Sequence, residues 1–252
     1  MDASVASITP AALRQSLQSD RPPLVIDVRR AERFLESTYL VRGALRRDPD
    51  SVDAWRSTLP GAASVVVYCV HGHEVSQNAA KALGALYLEG GIEAWRTSGG
   101  LLDGKPKASA TRWVTRERPK IDRIACPWLI RRFVDADAEF LYVPQGEVLG
   151  VAKDKDAAPY DVPDVHFSHD GERCSFDAFL KHYRLEGDPA LRELALIVRG
   201  ADTHRLQLAP QAAGLAAISL GLSRNFPDDL EMLEHGMLMY DALYTWCKEN
   251  CR

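Results

Sequence analysis

The sequence predicts two folds in series: an α/β half built on a parallel sheet with flanking helices, then a mainly helical α+β half. Three observations carry this. Short β-branched runs alternate with helical stretches as far as Thr97. A polar, turn-rich break containing Gly104 and Pro106, with no apolar period, follows. Beyond Ser175 the pattern is almost wholly helical. The 252 residues suffice for two cores, and the expected boundaries are 1–102, a linker at 103–111, and 112–252.

Thr9-Pro10 reads as an N-cap followed by proline at the first helical position, opening a helix to Gln18. Leu24-Val25-Ile26 is a short apolar run of the kind that fills a buried parallel strand. A helix over 49–59 is stopped by Pro60-Gly61. Ser64-Val65-Val66-Val67-Tyr68 is strongly β-branched and ends directly on Cys69. A helix over 76–83, a strand at Leu86-Tyr87-Leu88 and a helix over 92–97 complete this half.

In the second half, residues 121–134 read as a helix in which Pro127 marks a kink or an early turn. Residues 140–143 read as a strand and 162–167 as another. Helices are expected over 176–182, 189–199, 211–220 and 227–248. The last of these carries apolar residues on most faces, Leu230, Leu238 and Trp246 among them, which predicts burial. Trp128 is expected in the core as well.

The 46% hydrophobic and 26% charged fractions are those of an ordinary globular protein. A net charge of −4 and a pI near 6.0 give no reason to expect a nucleic-acid partner, although basic residues gather between Arg112 and Lys120. No apolar stretch is long enough to cross a bilayer, and residues 1–8 lack a secretory pattern, so no membrane partner is expected. The five cysteines (69, 126, 174, 247 and 251) are scattered and odd in number, which fits free thiols in a reducing cytoplasm. Cys247 and Cys251, four apart near the C-terminus, read as surface thiols.

Cys69 sits where a strand runs through a tight loop, Val70-His71-Gly72-His73-Glu74-Val75, into a helix. There the backbone N–H groups of the loop and the positive helix end converge on the sulfur and stabilise a thiolate, the reactive form. A buried, inert strand-end cysteine is the alternative, and loop geometry alone leaves both open.

Four features in order decide between them. Leu24 to Arg29 contains Asp-x-Arg, as Asp27 and Arg29. Arg42-Gly43-Ala44 forms a Gly-Ala turn, and Cys69-x-x-Gly72 forms a loop. Leu88-Glu89-Gly90-Gly91-Ile92-Glu93-Ala94-Trp95 closes the series. In these the first half resembles the rhodanese family. The resemblance implies a sulfurtransferase of the thiosulfate type, in which Cys69 is the nucleophile and carries sulfane sulfur as a persulfide. Substrate contacts would come from Val70, His71, Gly72, His73, Glu74 and Val75, with Arg29 as a further candidate that reads equally as a structural ion pair with Asp27. The partners implied are a small-molecule sulfur donor and a thiol or cyanide acceptor, and no cofactor is required. Glu74 stands where many family loops have arginine, and the segment between Ala80 and Tyr87 is short. A phosphatase loop would end on an arginine that this one lacks.

From Arg112 onward the chain resembles the C-terminal domain of ChrB-type chromate-resistance proteins. The resemblance rests on Trp113-Val114-Thr115-Arg116, on Asp122 to Phe133, on Cys174-Ser175-Phe176-Asp177, on Arg199 to Thr203, and on Tyr240-Asp241-Ala242-Leu243-Tyr244. It implies a link to chromate resistance. Arg116, Arg123 and Arg131, with Arg118, Lys120 and Arg132 nearby, are candidates for a pocket taking chromate or another oxyanion, because guanidinium groups bind tetrahedral oxyanions bidentately. The competing reading is a solvated face with local ion pairs. A divalent metal is the second expectation. His166 and His169 lie near Glu172 and Cys174, Asp202 and His204 follow a helix end, and Glu231 and His235 fall four apart. No stretch has the spacing of a known zinc motif.

Two functional readings follow. One is a cytoplasmic sulfurtransferase joined to a chromate-linked domain. The other is a chromate-responsive regulator with a degenerate first half, or a metal-dependent activity in the second.

Overall fold

The computed structural model describes residues 5–61, 64–105 and 111–250. The chain forms two compact units. One comprises Met1–Ser109 with His182–Gly187, the other Ala110–Lys181 with Asp188–Arg252. No helix of the described residues is long and apolar enough to cross a membrane.

In chain order the first unit contains β1 (Ser7–Ile8), α1 (Pro10–Ser16), β2 (Leu24–Asp27), α2 (Ala31–Glu36), β3 (Tyr39–Val41) and β4 (Leu45–Arg46). It continues with α3 (Val52–Trp55), β5 (Val65–Tyr68), α4 (Glu74–Leu83), β6 (Leu86–Leu88), α5 (Gly91–Thr97) and β7 (Leu102–Gly104). A five-stranded sheet runs in the order β1-β6-β5-β2-β4, all parallel, while β3 and β7 pair antiparallel. Thr9 accepts the N–H of Ala12 at 3.2 Å and starts α1, as the Thr-Pro pair requires. All four residues of β2 are buried, which is why an uninterrupted apolar run suits a central parallel strand. The core gathers Leu13, Val25, Val66, Tyr68, Leu88, Ile92 and Trp95.

Helix 49–59 is broken into a 3₁₀ turn, α3 and a second 3₁₀ turn. Asp103 and Gly104, expected in the linker, instead belong to β7, whose partner β3 is too short to show a period in sequence. Residues 106–110 of that segment lie outside the described residues, as does Cys251.

The second unit contains β8 (Arg112–Arg116), α6 (Asp122–Leu129), β9 (Glu139–Val143), α7 (Val148–Lys155) and β10 (Ala158–Pro159). Four helices follow: α8 (Ser175–His182), α9 (Pro189–Asp202), α10 (Ala212–Asn225) and α11 (Asp229–Asn250). Its parallel three-stranded sheet has the order β10-β8-β9. Residues 162–167 form no strand; the region contributes only a bridge between Tyr160 and Phe167. Asp188 caps α9 by accepting the N–H groups of Ala190 and Leu191 at 2.8 and 3.2 Å.

Pro127 does not end α6. Its ring removes the N–H that would bond the carbonyl of Arg123. That carbonyl accepts long hydrogen bonds from the Tyr142 and Tyr160 hydroxyls instead, at 3.3 and 3.4 Å. The helix then widens into a π-helical turn at Ile130–Val134. Trp128 is buried and donates to Asp241 at 2.9 Å. Trp246, expected in the core, is 38% exposed, and Leu230 and Leu238 are also exposed. Packing takes only the face of α11 that bears Met232, Leu233, Gly236, Met237, Tyr240 and Cys247. Cys247 is therefore buried and not a surface thiol.

The edge of the first sheet is held by a buried polar knot. Arg29 donates to both oxygens of Asp27, from Nε at 3.0 and 2.9 Å and from Nη2 at 2.6 Å. The Tyr68 hydroxyl donates to Asp27 at 2.9 Å and accepts the N–H of Val41 at 3.1 Å. Removing that hydroxyl leaves the buried N–H of Val41 without its acceptor, which costs about 1–3 kcal/mol. Tyr68→Phe should lower the urea midpoint accordingly, with little change in the slope.

Candidate functional site

β5 delivers Cys69 to the C-terminal edge of the sheet, and α4 begins five residues later. The loop between them is shaped by its neighbours. The N–H groups of Ile92 and Glu93, in the first turn of α5, donate to the carbonyls of Cys69 and Val70 at 3.0 and 3.2 Å. Gly91, at φ +60°, permits this approach, because a Cβ there would lie 2.4 Å from the Cys69 carbonyl oxygen. Gly72, at φ +72°, passes so close to the β6–α5 turn that a Cβ would stand 2.6 Å from the Leu88 oxygen. The two Gly-containing motifs quoted from the sequence are thus the two sides of one contact.

With its first two carbonyls held, the loop keeps its donors free. Among the described residues, the N–H groups of Val70, His71, Gly72, His73, Glu74 and Val75 donate to nothing else in the chain. Cys69 is a free thiol, buried, with Sγ 3.1 Å from Ser76 Oγ. Ser76, itself buried in the first turn of α4, also lies 3.1 Å from the His73 carbonyl, which it can donate to. A hydroxyl has one proton and two acceptor positions. Ser76 can therefore accept from the thiol while donating to His73, or turn its proton to the sulfur when that is ionised. Sequence reasoning missed Ser76; its place in the first turn of the helix after the cysteine loop was the available signal.

His71 and His73 are exposed with ring centroids 5.8 Å apart, and Glu74 is exposed in the first turn of α4. A carboxylate there complements the positive end of the helix. Arg29, a candidate for substrate contact, is corrected: it is 2% exposed, and its guanidinium is taken up by Asp27 and by the Tyr39 carbonyl at 3.0 Å. Burial, followed by the charge of Asp27, pushes the Tyr68 hydroxyl well above the ordinary tyrosine range, so the phenol of the knot is neutral.

In the second unit the three candidate arginines do not form one pocket. Arg116 Nη2 lies 2.6 Å from Asp161, and Arg123 Nε lies 3.2 Å from the same carboxylate. Arg131 pairs instead with Glu234 at 2.6 Å and covers the Phe140 ring. Carboxylates distant in sequence neutralise all three. Of the four candidate histidines, only His169 joins a cluster of ligand-type groups among the described residues. His235 stacks on Phe226 at 3.9 Å, His166 lies edge-on to Phe167 at 4.7 Å, and His204 follows α9 at φ +57°.

The cluster itself is built from four elements and two loops. Asp122 opens α6 just after Ile121, whose φ of +44° is costly for a β-branched residue. Ile121 is pinned in that conformation by Ser219 Oγ on its N–H and by the Tyr240 hydroxyl on its carbonyl, both at 2.8 Å. Asp161 follows β10, Asp202 ends α9, and Cys174 precedes α8. His169 Nε2 stands 3.4 Å from Asp122, 3.4 Å from Asp161 and 3.2 Å from Asp202. Ser175 donates its N–H to Asp122 at 3.2 Å and its hydroxyl to Asp161 at 2.9 Å. Asp161 was not a candidate from sequence, since nothing near it marks it out.

These groups divide the charge unevenly. Burial, reinforced by the neighbouring Asp161 and Asp202, pushes the Asp122 carboxyl up to about 7. Burial also opposes ionisation of Asp161, but hydrogen bonds from His169 and Arg116 outweigh it and hold that group below its ordinary value. His169 is pushed up to about 12 by its hydrogen bonds to Asp122, Asp161 and Asp202. Burial raises the thiols of Cys126 and Cys174 as well. The arrangement can hold a proton shared between carboxylates, or a cation.

A parallel sheet ending in a cysteine loop closed by a Gly-Gly helix start defines a rhodanese-like domain, and residues 9–98 match that family. Residues 113–247 match the ChrB, C-terminal domain family, and the chain belongs to it. Protein ChrB of Cupriavidus metallidurans is 35% identical over 133 residues, which are 53% of this chain and 40% of that one. The first unit is similar to a rhodanese-related protein of Thermoplasma volcanium: 21% identity, 39% of this chain and 97% of that one, TM-score 0.34. It is also similar to a thiosulfate sulfurtransferase of Pseudomonas aeruginosa: 20% identity, 39% of this chain and 19% of that one, TM-score 0.33.

Asp122 gives the second unit a defined pH dependence. In the unfolded chain its carboxyl ionises near pH 4, whereas the folded protein keeps the proton to about 7. Between those values the folded state binds the extra proton, so the contribution of Asp122 to stability falls as pH rises through the window. Asp122→Asn, melted in EDTA across this range, should lose that downward slope.

Proposed function

We propose that the protein is a sulfurtransferase in which Cys69 carries sulfane sulfur as a persulfide. The observation supporting this most directly is the 3.1 Å approach of Cys69 Sγ to Ser76 Oγ, inside a loop whose amides have no other acceptor among the described residues. Covalent catalysis of this kind needs an ionised sulfur and donors fixed beforehand around the anion.

With thiosulfate as donor, the Cys69 thiolate attacks the outer sulfur. An S–S bond forms to Sγ, the S–S bond of thiosulfate breaks, and sulfite leaves with its electron pair. The outer sulfur of the persulfide then carries the negative charge, and the amides from Val70 to Val75 are placed to hold it. A thiolate or cyanide attacks that sulfur, giving a new persulfide or thiocyanate and returning the Cys69 thiolate. No cofactor enters either step. Ser76 serves as a positioning residue, donating to the sulfur whenever it is charged. The exposed His71 and His73 add positive charge at the rim when protonated, which favours an anionic donor.

We place this activity in the service of chromate resistance through the ChrB-type second unit. The pairing of Arg116, Arg123 and Arg131 with carboxylates speaks against that unit being a preformed oxyanion receptor.

Wild-type protein incubated with thiosulfate should gain one sulfur at Cys69 by mass spectrometry and should turn over thiosulfate with cyanide. Cys69→Ala should show neither; equal turnover in both proteins would end the proposal. Ser76→Ala removes one hydrogen bond to a charged group, about 1.5–3 kcal/mol. It should slow iodoacetamide alkylation of Cys69 by about tenfold or more at neutral pH while leaving the melting temperature near that of the wild type.

A further inference from the structure

The groups around His169 make poor sense as hydrogen-bond partners alone. A single ring nitrogen carries at most one hydrogen, yet carboxylate oxygens of Asp122, Asp161 and Asp202 surround His169 Nε2 at 3.4, 3.4 and 3.2 Å. Each of these is a separation expected between two donors of one cation, and His169, Asp122 and Asp161 form one set whose ligand atoms all lie within 4.8 Å of one another. With ligand bonds of about 2.1 Å, neighbouring donors stand about 3.0 Å apart in an octahedron and about 3.4 Å apart in a tetrahedron.

A second observation points the same way from another side. Cys174 is fully buried, and its thiol has no hydrogen-bond partner among the described residues. Its sulfur lies with carboxylate oxygens of Asp122 and Asp202 in a set whose atoms are all within 4.8 Å of one another. A buried thiol packs without such a partner at little cost, but its sulfur is also a soft metal ligand, and here it stands beside two carboxylate oxygens.

The donors are also held from behind, as ligands of a metal centre are. Asp161 turns one oxygen to Arg116 and Arg123 and the other to His169 and Ser175. Asp122 is fixed by the Ser175 N–H and by the pinned backbone of Ile121. His169 is 41% exposed, which leaves an entry path from solvent.

We propose that Asp122, Asp161 and His169 bind one divalent first-row transition ion, with Asp202, 3.2 Å from His169, and Cys174 adjoining it in a second set that shares Asp122. Two carboxylates with one neutral imidazole suit Mn2+, Fe2+, Co2+ or Zn2+, and a thiol close by favours Zn2+ and Co2+ over Mn2+. Binding releases the proton of His169 and any proton held by Asp122, since only the neutral ring and the ionised carboxylate ligate. The site lies wholly within the ChrB-type unit and is independent of Cys69 chemistry.

The test uses the full chain, stripped with EDTA and titrated with Zn2+ by calorimetry and with Co2+ by visible absorption. One equivalent per chain is expected, with Co2+ d–d bands. His169→Ala and Asp202→Asn should each lose at least the roughly 10- to 100-fold in affinity that even outer partners of a metal centre are worth. Cys174→Ser should abolish any sulfur-to-cobalt charge-transfer band while the d–d bands remain. His235→Ala should bind as the wild type does. Absence of binding by wild-type protein at millimolar metal overturns the proposal and leaves a purely ionic cluster. Undiminished binding in His169→Ala overturns it too, and because that side chain is partly exposed, the variant reads out even if Asp122→Asn fails to fold.

Discussion

The reactive loop depends on two hydrogen bonds that do not touch the sulfur. By taking the carbonyls of Cys69 and Val70, the first amides of α5 fix which way the peptide units of the loop face. A loop whose carbonyls were free would turn some of them toward the thiol and repel an anion. The glycines at 72 and 91 are required because this contact is backbone on backbone, with no room for a Cβ on either side. The Asp27, Arg29 and Tyr68 knot then anchors the strand from which the cysteine projects. Its effect on chemistry is indirect and comes through rigidity.

The second unit is organised around charge and not around a loop. Residues separated by up to 80 positions, from Asp122 to Asp202, are gathered by two helix starts, one helix end, the end of a strand and the loop that carries His169. The short motifs that carried the family resemblance converge there. Arg116, Asp122, Arg123, Cys174, Ser175 and Asp202 all touch the cluster or its supports. Asp177 and Arg199, from two of the same motifs, form a bidentate pair that joins the start of α8 to α9.

What could be read from sequence was local. The run ending on Cys69, the Thr-Pro helix start and the Gly-Gly turn each encode their geometry within a few residues, and the structure has them. Ser7–Ile8, Tyr39–Val41 and Arg112–Arg116 went unseen: two residues show no pattern, and the last of these strands opens and closes on arginine. The arginines misled for a different reason. A guanidinium in sequence is a free charge, and only the fold reveals that Asp161, Glu234 or Asp241 lies within reach. Histidines gave the same ambiguity four times, and His169 differs from the others only in what surrounds it.

Pro127 shows how a residue's general reputation can invert. In an isolated helix it is a defect, because it deletes a donor and leaves a carbonyl unpaired. Here the orphaned carbonyl of Arg123 receives the hydroxyls of two tyrosines, the buried Tyr160 following β10 and the half-buried Tyr142 within β9. The carbonyl freed by the missing N–H is an acceptor that ties the helix to the sheet beside it. Restoring the helical hydrogen bond with alanine would compete with two others, so the more helix-like sequence would be the less well-connected protein.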